Sequence, residues 1–419
     1  MTQFAAGSRC LMESINYKKL NRSISMYPIF AGLTSDLIFW IAINTLFLTT
    51  VKNLSAAQIN SIDAIGTMVG ILFQFILIKI VRKIGNLNSV KLGVILLFLS
   101  TLFNTFSTKY IGFLVAQLCY SIGFVFKHMD NVILIKNLKY LNKSNEYINY
   151  QTKGSTIYAL MTLLISIVSG FMFNVNPYIP MIICLIVSFI NIILAFFIYE
   201  VPINNTEAKI IKTKINKKSL SKKIFLMILL YGIFYAMIGC GQKNSKLFIQ
   251  FDLQTLFKLD KVAIYMSIFI FASRVSRLLS NLLFLKMYKK YSNKLIFMFE
   301  LGLVFAFIFI LIGHFIGHIY GIYIMVLGFL IFLFIRDPFN SFMRKILFEN
   351  SNEEIHDKII NYINLSRKIF TLLYSTIIAS ILTKLNYVYV MTFLLVLSIS
   401  FIIIIYKIFK LTKEENKNV

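Results

Sequence analysis

Long apolar blocks alternate with short polar segments along almost the whole chain. The blocks run to about 18–25 residues, the length that an α-helix needs to cross the hydrocarbon core of a bilayer. Because lipid cannot satisfy free backbone groups, each block is expected to be a helix. The pattern predicts twelve spans, over residues 27–50, 59–81, 90–107, 110–130, 154–174, 179–199, 223–250, 262–286, 294–313, 317–338, 365–384 and 387–408.

The distribution of basic residues predicts the orientation of these spans. Lysine and arginine are concentrated in alternate loops, whereas most of the other loops are short and carry no more than one lysine, such as Lys52, Lys109 and Lys384. Since insertion retains basic loops on the cytoplasmic side, both termini are expected to be cytoplasmic and the chain to be a multi-pass protein of the plasma membrane. Composition agrees, because 58% of residues are hydrophobic and only 14% are charged.

The net charge is +26, from 43 basic and 17 acidic side chains, and it does not alter the prediction of a membrane protein. A basic balance can indicate a nucleic-acid partner. Here the basic residues lie between apolar blocks, so we expect no nucleic-acid partner. The charge reports topology and contact with anionic lipid headgroups.

The basic segment 200–222 divides the chain into an N-terminal segment 1–26, a six-helix bundle 27–199, the linker itself, a second six-helix bundle 223–408 and a tail 409–419. The two bundles share loop patterns. Asp130-Asn131 follows the fourth span, and Asp337-Pro338-Phe339-Asn340 follows the tenth. A unit repeated in the same orientation is typical of transporters built from parallel repeats. The predicted fold is therefore all-α and integral to the membrane, with two pseudo-symmetric bundles.

This arrangement resembles the major facilitator superfamily over nearly the whole chain. The loop after the second span in that family usually reads Asp-Arg-x-Gly-Arg, and its Asp pairs with a neighbouring helix end. The matching stretch here is Arg82-Lys83-Ile84-Gly85-Asn86, in which Arg82 replaces the Asp and Asn86 the last Arg. The stretch from Asp130 to Gly154 is similar to bacterial drug and solute carriers. The resemblance implies a bacterial carrier that works by alternating access, acts on a small molecule and is a monomer.

Ionisable groups inside a membrane are costly, so each requires an explanation. Asp36 lies near the middle of the first span, which lines the central cavity in this fold. A carboxylate there can bind a proton on one side and release it on the other. We expect Asp36 to couple transport to protons or to another ion; the alternative is a structural ion pair.

Four cations also fall in or near spans seven and eight: Lys243, Lys246, Arg274 and Arg277. The polar stretch around both lysines predicts either a broken helix facing water or an early helix end near Gly241, with the lysines in an outer loop. The arginines require anionic partners, and Asp36 and Glu300 are the candidates inside the protein. The excess of cations suggests a substrate-binding role and an anionic substrate, with an amphipathic drug-like compound as the other possibility.

Polar residues at the inner ends of spans predict a gate. His128 and Asp130 follow the fourth span, Arg336 and Asp337 end the tenth, and Arg82, Lys83 and Gly85 form the loop after the second. In a protein that rocks between two halves, such residues can form ion pairs across the inner mouth, although helix ends solvated by water are the alternative. His314 and His318 lack a third ligand, so no metal site is expected.

The sequence carries no nucleotide-binding or zinc-protease motif, so we expect neither a cofactor nor an enzyme, but a carrier driven by an ion gradient. Two alternatives remain open. An enzyme acting on lipid-linked substrates would use clustered carboxylates, of which Glu353, Glu354 and Asp357 form one group. A receptor on a transporter fold is the other, because fold alone does not decide function.

Overall fold

The computed structural model describes residues 2–143, 146–201, 221–291, 294–351 and 356–415, and in these ranges the regular elements are helices. A short π-helical segment, Phe47–Val51, follows the second helix. The helices are α1 (Thr2–Leu33), α2 (Ile38–Leu46), α3 (Ala56–Leu72), α4 (Gln74–Ile84), α5 (Asn86–Phe106), α6 (Tyr110–Lys127), α7 (Met129–Tyr140), α8 (Tyr147–Val175), α9 (Ile179–Phe196), α10 (Lys222–Leu256), α11 (Leu259–Tyr291), α12 (Leu295–Ile316), α13 (His318–Glu349), α14 (His356–Lys384) and α15 (Tyr387–Glu415).

Ten helical stretches among the described residues are long and apolar enough to cross a membrane. Two shorter apolar helices, Ala56–Leu72 and Tyr387–Ile402, lie where spans two and twelve are predicted. Outward-facing side chains are apolar as well: on α9, Ile182, Ile186, Phe189 and Ile193 are 46–54% exposed, whereas Ser188 and Asn191 are buried. Exposed apolar side chains and buried polar ones suit contact with lipid rather than with water. Together with the length of the apolar helices, this shows that the chain is a multi-pass membrane protein.

The first predicted span is interrupted in the middle. α1 ends at Leu33 and α2 begins at Ile38. The hydroxyl of Thr34 donates to the carbonyl of Phe30 at 2.6 Å, and that of Ser35 donates to the carbonyl of Ala31 at 2.5 Å. Hydroxyls bound in this way compete with the helical backbone and bend it. The interruption places Asp36 at a helix break.

Span seven, by contrast, is continuous. α10 runs from Lys222 to Leu256 and includes Lys243 and Lys246 within it. The structure therefore supports neither the broken helix nor the early end that the polar stretch suggested. The helix continues through Gly239 and Gly241, and aromatic side chains pack closely on the second of them: a Cβ on Gly241 would lie 2.9–3.0 Å from the rings of Phe307 and Phe332.

The helices pack into two compact units. The first unit comprises residues 1–42, 72–165 and 176–217, and in it α5 packs against α6, α7 and α9. The second comprises residues 43–71, 166–175 and 218–419, and in it α10 packs against α13, α14 and α15, and α12 against α13. Two segments of the predicted N-terminal bundle, 43–71 and 166–175, thus belong to the second unit.

We expect Gly93→Leu to destabilise the first unit strongly. A Cβ at Gly93 would lie 2.5 Å from the backbone N of Lys127 and 2.8 Å from the carbonyl O of Gly123, so α5 and α6 would have to separate. Overpacking of this kind costs about 1–3 kcal/mol or more. The helical glycine Gly239, whose Cβ would meet nothing within 4 Å, supplies the matched control Gly239→Ala. Thermal unfolding in detergent should show a large loss for the first variant and none for the second.

Candidate functional site

One face of α10 carries a polar network within the second unit. Its members on α10 are Lys243, Asn244, Lys246 and Gln250, and its members on the segment 43–71 are Asn44, Thr49, Asn60 and Asp63. We refer to these eight residues as the helix-ten network. Asn60, Asn244 and Gln250 are almost fully buried, at 0–1% exposure. Polar groups buried at this depth require partners, and the network provides them for Asn60 Nδ2, Asn244 Oδ1 and Gln250 Nε2. Gln250 Oε1 has no hydrogen-bond partner among the described residues.

An ion pair forms the centre of the helix-ten network. Lys243 Nζ donates to Asp63 Oδ2, and the same ammonium donates to the backbone carbonyl of Ile59 at 3.2 Å. The Lys243 side chain is 24% exposed and that of Asp63 is 40% exposed, so the pair is partly accessible. The carboxylate compensates a charge that the membrane interior would otherwise penalise.

Amide side chains extend the network on both sides of this pair. Asn60 Nδ2 donates to Asn244 Oδ1 at 3.0 Å, and Lys246 Nζ donates to Asn44 Oδ1 at 2.9 Å. One helical turn further, Gln250 Nε2 donates to Thr49 Oγ1 at 2.6 Å. Amides and hydroxyls can exchange such bonds for bonds to a ligand without the cost of moving a charge, which is typical of sites that bind polar solutes.

A second cluster, the Asp337 cluster, lies on α10, α11 and α13 of the same unit. Asp337 forms an ion pair with Arg277 and lies 3.4 Å from Nε of Arg336. Arg336 Nη1 donates to Gln242 Oε1 at 3.0 Å, and Asn281 Nδ2 lies 3.5 Å from Asp337 Oδ2. The single carboxylate of Asp337 therefore interacts with two guanidinium groups. The predicted gate residues Arg336 and Asp337 lie inside α13, which continues through Pro338 to Glu349, and not at a helix end.

These partners change the charge count on which the expectation of an anionic substrate was based. That count took Asp36 and Glu300 as the available anions, whereas the structure pairs Lys243 with Asp63 and Arg277 with Asp337. Of the other two cations, Lys246 donates a hydrogen bond to Asn44 and lies close enough to Arg274 for electrostatic repulsion between the two charges. An acceptor-rich ligand next to these two side chains would lower that repulsion.

Asp36 lies in the first unit, at the helix break. Its Oδ1 accepts a hydrogen bond from the Tyr120 hydroxyl at 2.8 Å and another from the backbone N–H of Leu37 at 2.8 Å. The second bond is local, to the residue that precedes α2, and it holds the carboxylate against the backbone at the helix break. Asp36 is partly exposed, so its carboxyl combines a fixed hydrogen-bond donor with access from outside the unit's core.

The other predicted gate residues of the first unit form local contacts. Asp130 is buried and forms an ion pair with Lys127 at 3.0 Å. His128, at the junction of α6 and α7, has its Nδ1 2.6 Å from the carbonyl O of Phe124. Arg82 and Lys83 form the last turn of α4, and Gly85 links α4 to α5 with a φ of 84°, a conformation that suits glycine.

Glu200 lies beside the loop between α4 and α5. It accepts hydrogen bonds from Asn86 Nδ2 at 2.6 Å, from Lys136 Nζ at 2.7 Å and from the backbone N–H of Leu87 at 3.2 Å. The last bond places a negative charge at the N-terminus of α5, where the helix dipole favours it. A cavity of about 500 Å³ beside it is also lined by Arg82 and Gly85. A carboxylate that follows span six thus binds the start of α5, beside the loop that contains Arg82.

Glu300 pairs with neither arginine. It lies on the buried side of α12 at 1% exposure, and its carboxyl oxygens have no hydrogen-bond partner in the described part of the chain. His314 Nδ1 lies 2.7 Å from Asp252 Oδ2. Among the described residues no group of three metal-binding side chains occurs.

Sequence reasoning missed Asp63, Glu200 and Asp252. The signal for Asp63 was present, because the rule that every ionisable residue within an apolar span needs an explanation applies to it as it does to Asp36. Glu200 and Asp252 follow or end apolar spans, where acidic residues are ordinary. Only the folded arrangement assigns these two side chains a partner.

No protein-family model matches the sequence, and no curated protein matches it. Solved structures do resemble it. The nucleoside transporter NupG superposes with a TM-score of 0.69 at 12% identity, covering 94% of this chain and 99% of that chain. A bacterial homologue of the iron transporter ferroportin in an inward-facing state gives 0.61 at 15% identity, covering 92% and 98%. The xylose transporter XylE from E. coli in an inward-open conformation gives 0.62 at 13%, covering 90% and 95%. The chain therefore has the major facilitator fold, and the fold that the sequence resemblance implied is confirmed.

Proposed function

We propose that the protein is a secondary active transporter that moves a small polar solute across the cell membrane by alternating access. The observation that carries the proposal is the likeness of more than 90% of the chain to structures of solute transporters, at nearly the full length of each. Polar and charged side chains placed inside apolar helices support it, because a membrane protein without a polar path has little reason to bear their cost.

The helix-ten network supports a solute rich in hydrogen-bonding groups. Hydrogen-bond donors and acceptors are present on and beside the membrane-spanning helix α10, in the side chains of Asn44, Lys246 and Gln250. The repulsion between Lys246 and Arg274 favours a solute that presents acceptors or a negative charge to them. The similar structures are those of a nucleoside transporter, a bacterial homologue of an iron transporter and a xylose transporter. A nucleoside or a pentose has the acceptor-rich chemistry described here. An organic anion would also present acceptors to Lys246 and Arg274, and it would add a negative charge.

Proton coupling through Asp36 completes the proposal. The break between α1 and α2 and the Tyr120 hydroxyl support Asp36 as the group that binds and releases a proton. The proposal includes a monomer in a bacterial plasma membrane with both termini cytoplasmic. The basic segment 200–222, which is predicted to contact anionic headgroups, lies mostly outside the described residues. Gly85, Asp130 and the Asp337 cluster are proposed to shape the inner mouth.

Transport in proteoliposomes tests the proposal. The purified protein is reconstituted, a pH gradient is imposed in either direction, and labelled uridine, xylose, succinate and tetraphenylphosphonium are offered separately. We expect uridine, xylose or succinate to accumulate above protein-free vesicles and a protonophore to abolish the accumulation. Accumulation of tetraphenylphosphonium alone would indicate a carrier of lipophilic cations instead. No movement of any probe under either gradient would contradict the proposal.

Replacing Asp36 with Asn is expected to abolish accumulation driven by the pH gradient, because an amide cannot carry the proton. Exchange of labelled for unlabelled solute across the same vesicles should persist, since exchange needs no net proton movement. Tyr120→Phe is the matched control: it removes the hydrogen bond to Asp36 and leaves the carboxyl, so gradient-driven accumulation should continue at a reduced rate. Full accumulation by Asp36→Asn would remove Asp36 from the mechanism.

A further inference from the structure

Glu300 is a titratable group that the proposed mechanism does not use. It shares the buried side of α12 with Phe299, Leu303 and Phe307, and only 1% of its surface is exposed. Neither Oε1 nor Oε2 has a hydrogen-bond partner in the part of the chain that the structure describes. A carboxyl group in such a setting differs from Asp36, which has two donors, and from Asp63 and Asp337, which have cations.

Phe299, the residue before Glu300 on α12, lies in an aromatic layer. A cation also lies at this layer, because Lys345 Nζ of α13 is 3.9 Å from the ring centroid of Tyr288, which packs on Phe342. Helices α10, α11, α13 and α15 pack against α12. The neighbouring Phe299 packs edge-on against Phe339 and Phe342, with ring centroids 6.0–6.1 Å apart. Burial therefore removes the Glu300 carboxyl from water, and the described residues supply no hydrogen bond in its place.

The polar groups of the packed helices nearest to this aromatic layer are directed elsewhere. Tyr231 of α10 stacks on Phe339, and its hydroxyl donates to Asn340 at 2.8 Å. Tyr288 of α11 packs against Phe342. On α13, Arg336 binds Gln242 and Asp337, and Arg344 interacts with Tyr231. On α15 the described ionisable side chains are Tyr387 and Tyr389, in the first turn of the helix, whereas Phe401, which packs on Phe234, lies near its middle.

An ionised carboxylate without partners is far more costly in an apolar interior than the neutral acid. We propose that Glu300 is a proton-binding site of the second unit, occupied in this conformation, and that it releases its proton when water or a cation reaches it in another. The inference extends the proposed transport cycle by a second proton, in addition to the one assigned to Asp36. It rests on the transport proposal only for its role in coupling, because the occupancy of the site is a property of the protein alone.

Infrared spectroscopy tests the occupancy without any solute. The C=O stretch of a protonated carboxylic acid is resolved from that of a carboxylate, so the purified protein at neutral pH should show a protonated-acid band that is missing from Glu300→Gln and retained in Asp36→Asn. Identical spectra of wild type and Glu300→Gln in this region would overturn the proposal. A failure of solute transport leaves this result unaffected, so the two proposals fail separately.

Labelling of the wild-type protein covers the case in which Glu300→Gln does not fold. Dicyclohexylcarbodiimide adds a protonated carboxylic acid across its C=N bond, and the adduct rearranges to a stable N-acylurea. At neutral pH, mass spectrometry should locate this adduct on Glu300 and not on the paired Asp337. Labelling of Asp337 with Glu300 unmodified would contradict the proposal.

The coupling role is measured as the ratio of protons to solute. Vesicles that contain a pH-sensitive dye and accumulate uridine, xylose or succinate should show fewer protons moved per solute with Glu300→Gln than with wild type. Glu300→Asp, which keeps a carboxyl, should retain the wild-type ratio. An unchanged ratio in Glu300→Gln would show that the bound proton is structural and would overturn the coupling role.

Discussion

Replacing Asp337 with Asn should cost the folded protein about 3–5 kcal/mol, the usual loss when one partner of a buried charge pair is removed. Asp337 is 19% exposed, and its carboxylate compensates both Arg277, which is 29% exposed, and Arg336. Arginine does not lose its proton, so the variant would keep two uncompensated cations within helices that cross the membrane. The midpoint of thermal unfolding in detergent should fall accordingly.

Arg277→Gln is the control that separates charge from packing. It removes one cation and leaves Asp337 paired with Arg336 at 3.4 Å, so its loss of stability should be clearly smaller. The double variant Arg277→Gln with Asp337→Asn should recover part of the loss, because only one cation then lacks a carboxylate. Equal losses in Asp337→Asn and Arg277→Gln would show that the cluster contributes through shape and not through charge.

The order of apolar blocks and the fold were predictable from the sequence because the membrane requirement acts locally. Any block of sufficient length must be a helix, and Ile179–Phe196 or Leu295–Ile316 needs no knowledge of its neighbours. Hydropathy does not show where a helix is interrupted. Thr34, Ser35 and Asp36 break the first span through side chains that bond the backbone, whereas α10 continues through Gly239 and Gly241, and aromatic rings pack against Gly241.

The sequence showed which charged residues need a counter-ion, but it did not show which residue supplies it. The sequence indicated that Arg277 needs an anion, yet it assigned that anion to Asp36 or Glu300 and placed Asp337 at a gate. The two residues lie 60 positions apart, and only the packing of α11 against α13 brings them together. The same holds for Lys243 and Asp63, which are 180 positions apart. Pairing depends on helix register, which one sequence does not specify.

The pair of Lys243 and Asp63 should have the largest effect on transport. It joins α10 to the segment 43–71, which belongs to the N-terminal half of the sequence and to the second compact unit of the structure. If transport proceeds by alternating access between the two halves of the sequence, this pair has to form and break in each cycle. Removing one charge changes the balance of conformations, and coupling energies of this kind correspond to rate changes on the order of tenfold.

A double-mutant cycle measures this contribution. Asp63→Asn and Lys243→Gln should each reduce the initial rate of solute uptake by about tenfold, and the double variant should be less impaired than the product of the two single effects. Asp260→Asn, an exposed carboxylate of the same unit, should leave the rate unchanged. The partial exposure of Asp63, at 40%, keeps the expected loss of stability small, so the effect should appear in rate before it appears in thermal unfolding. Strictly multiplicative effects would show that the two charges act independently, and the pair would then have no part in the conformational cycle.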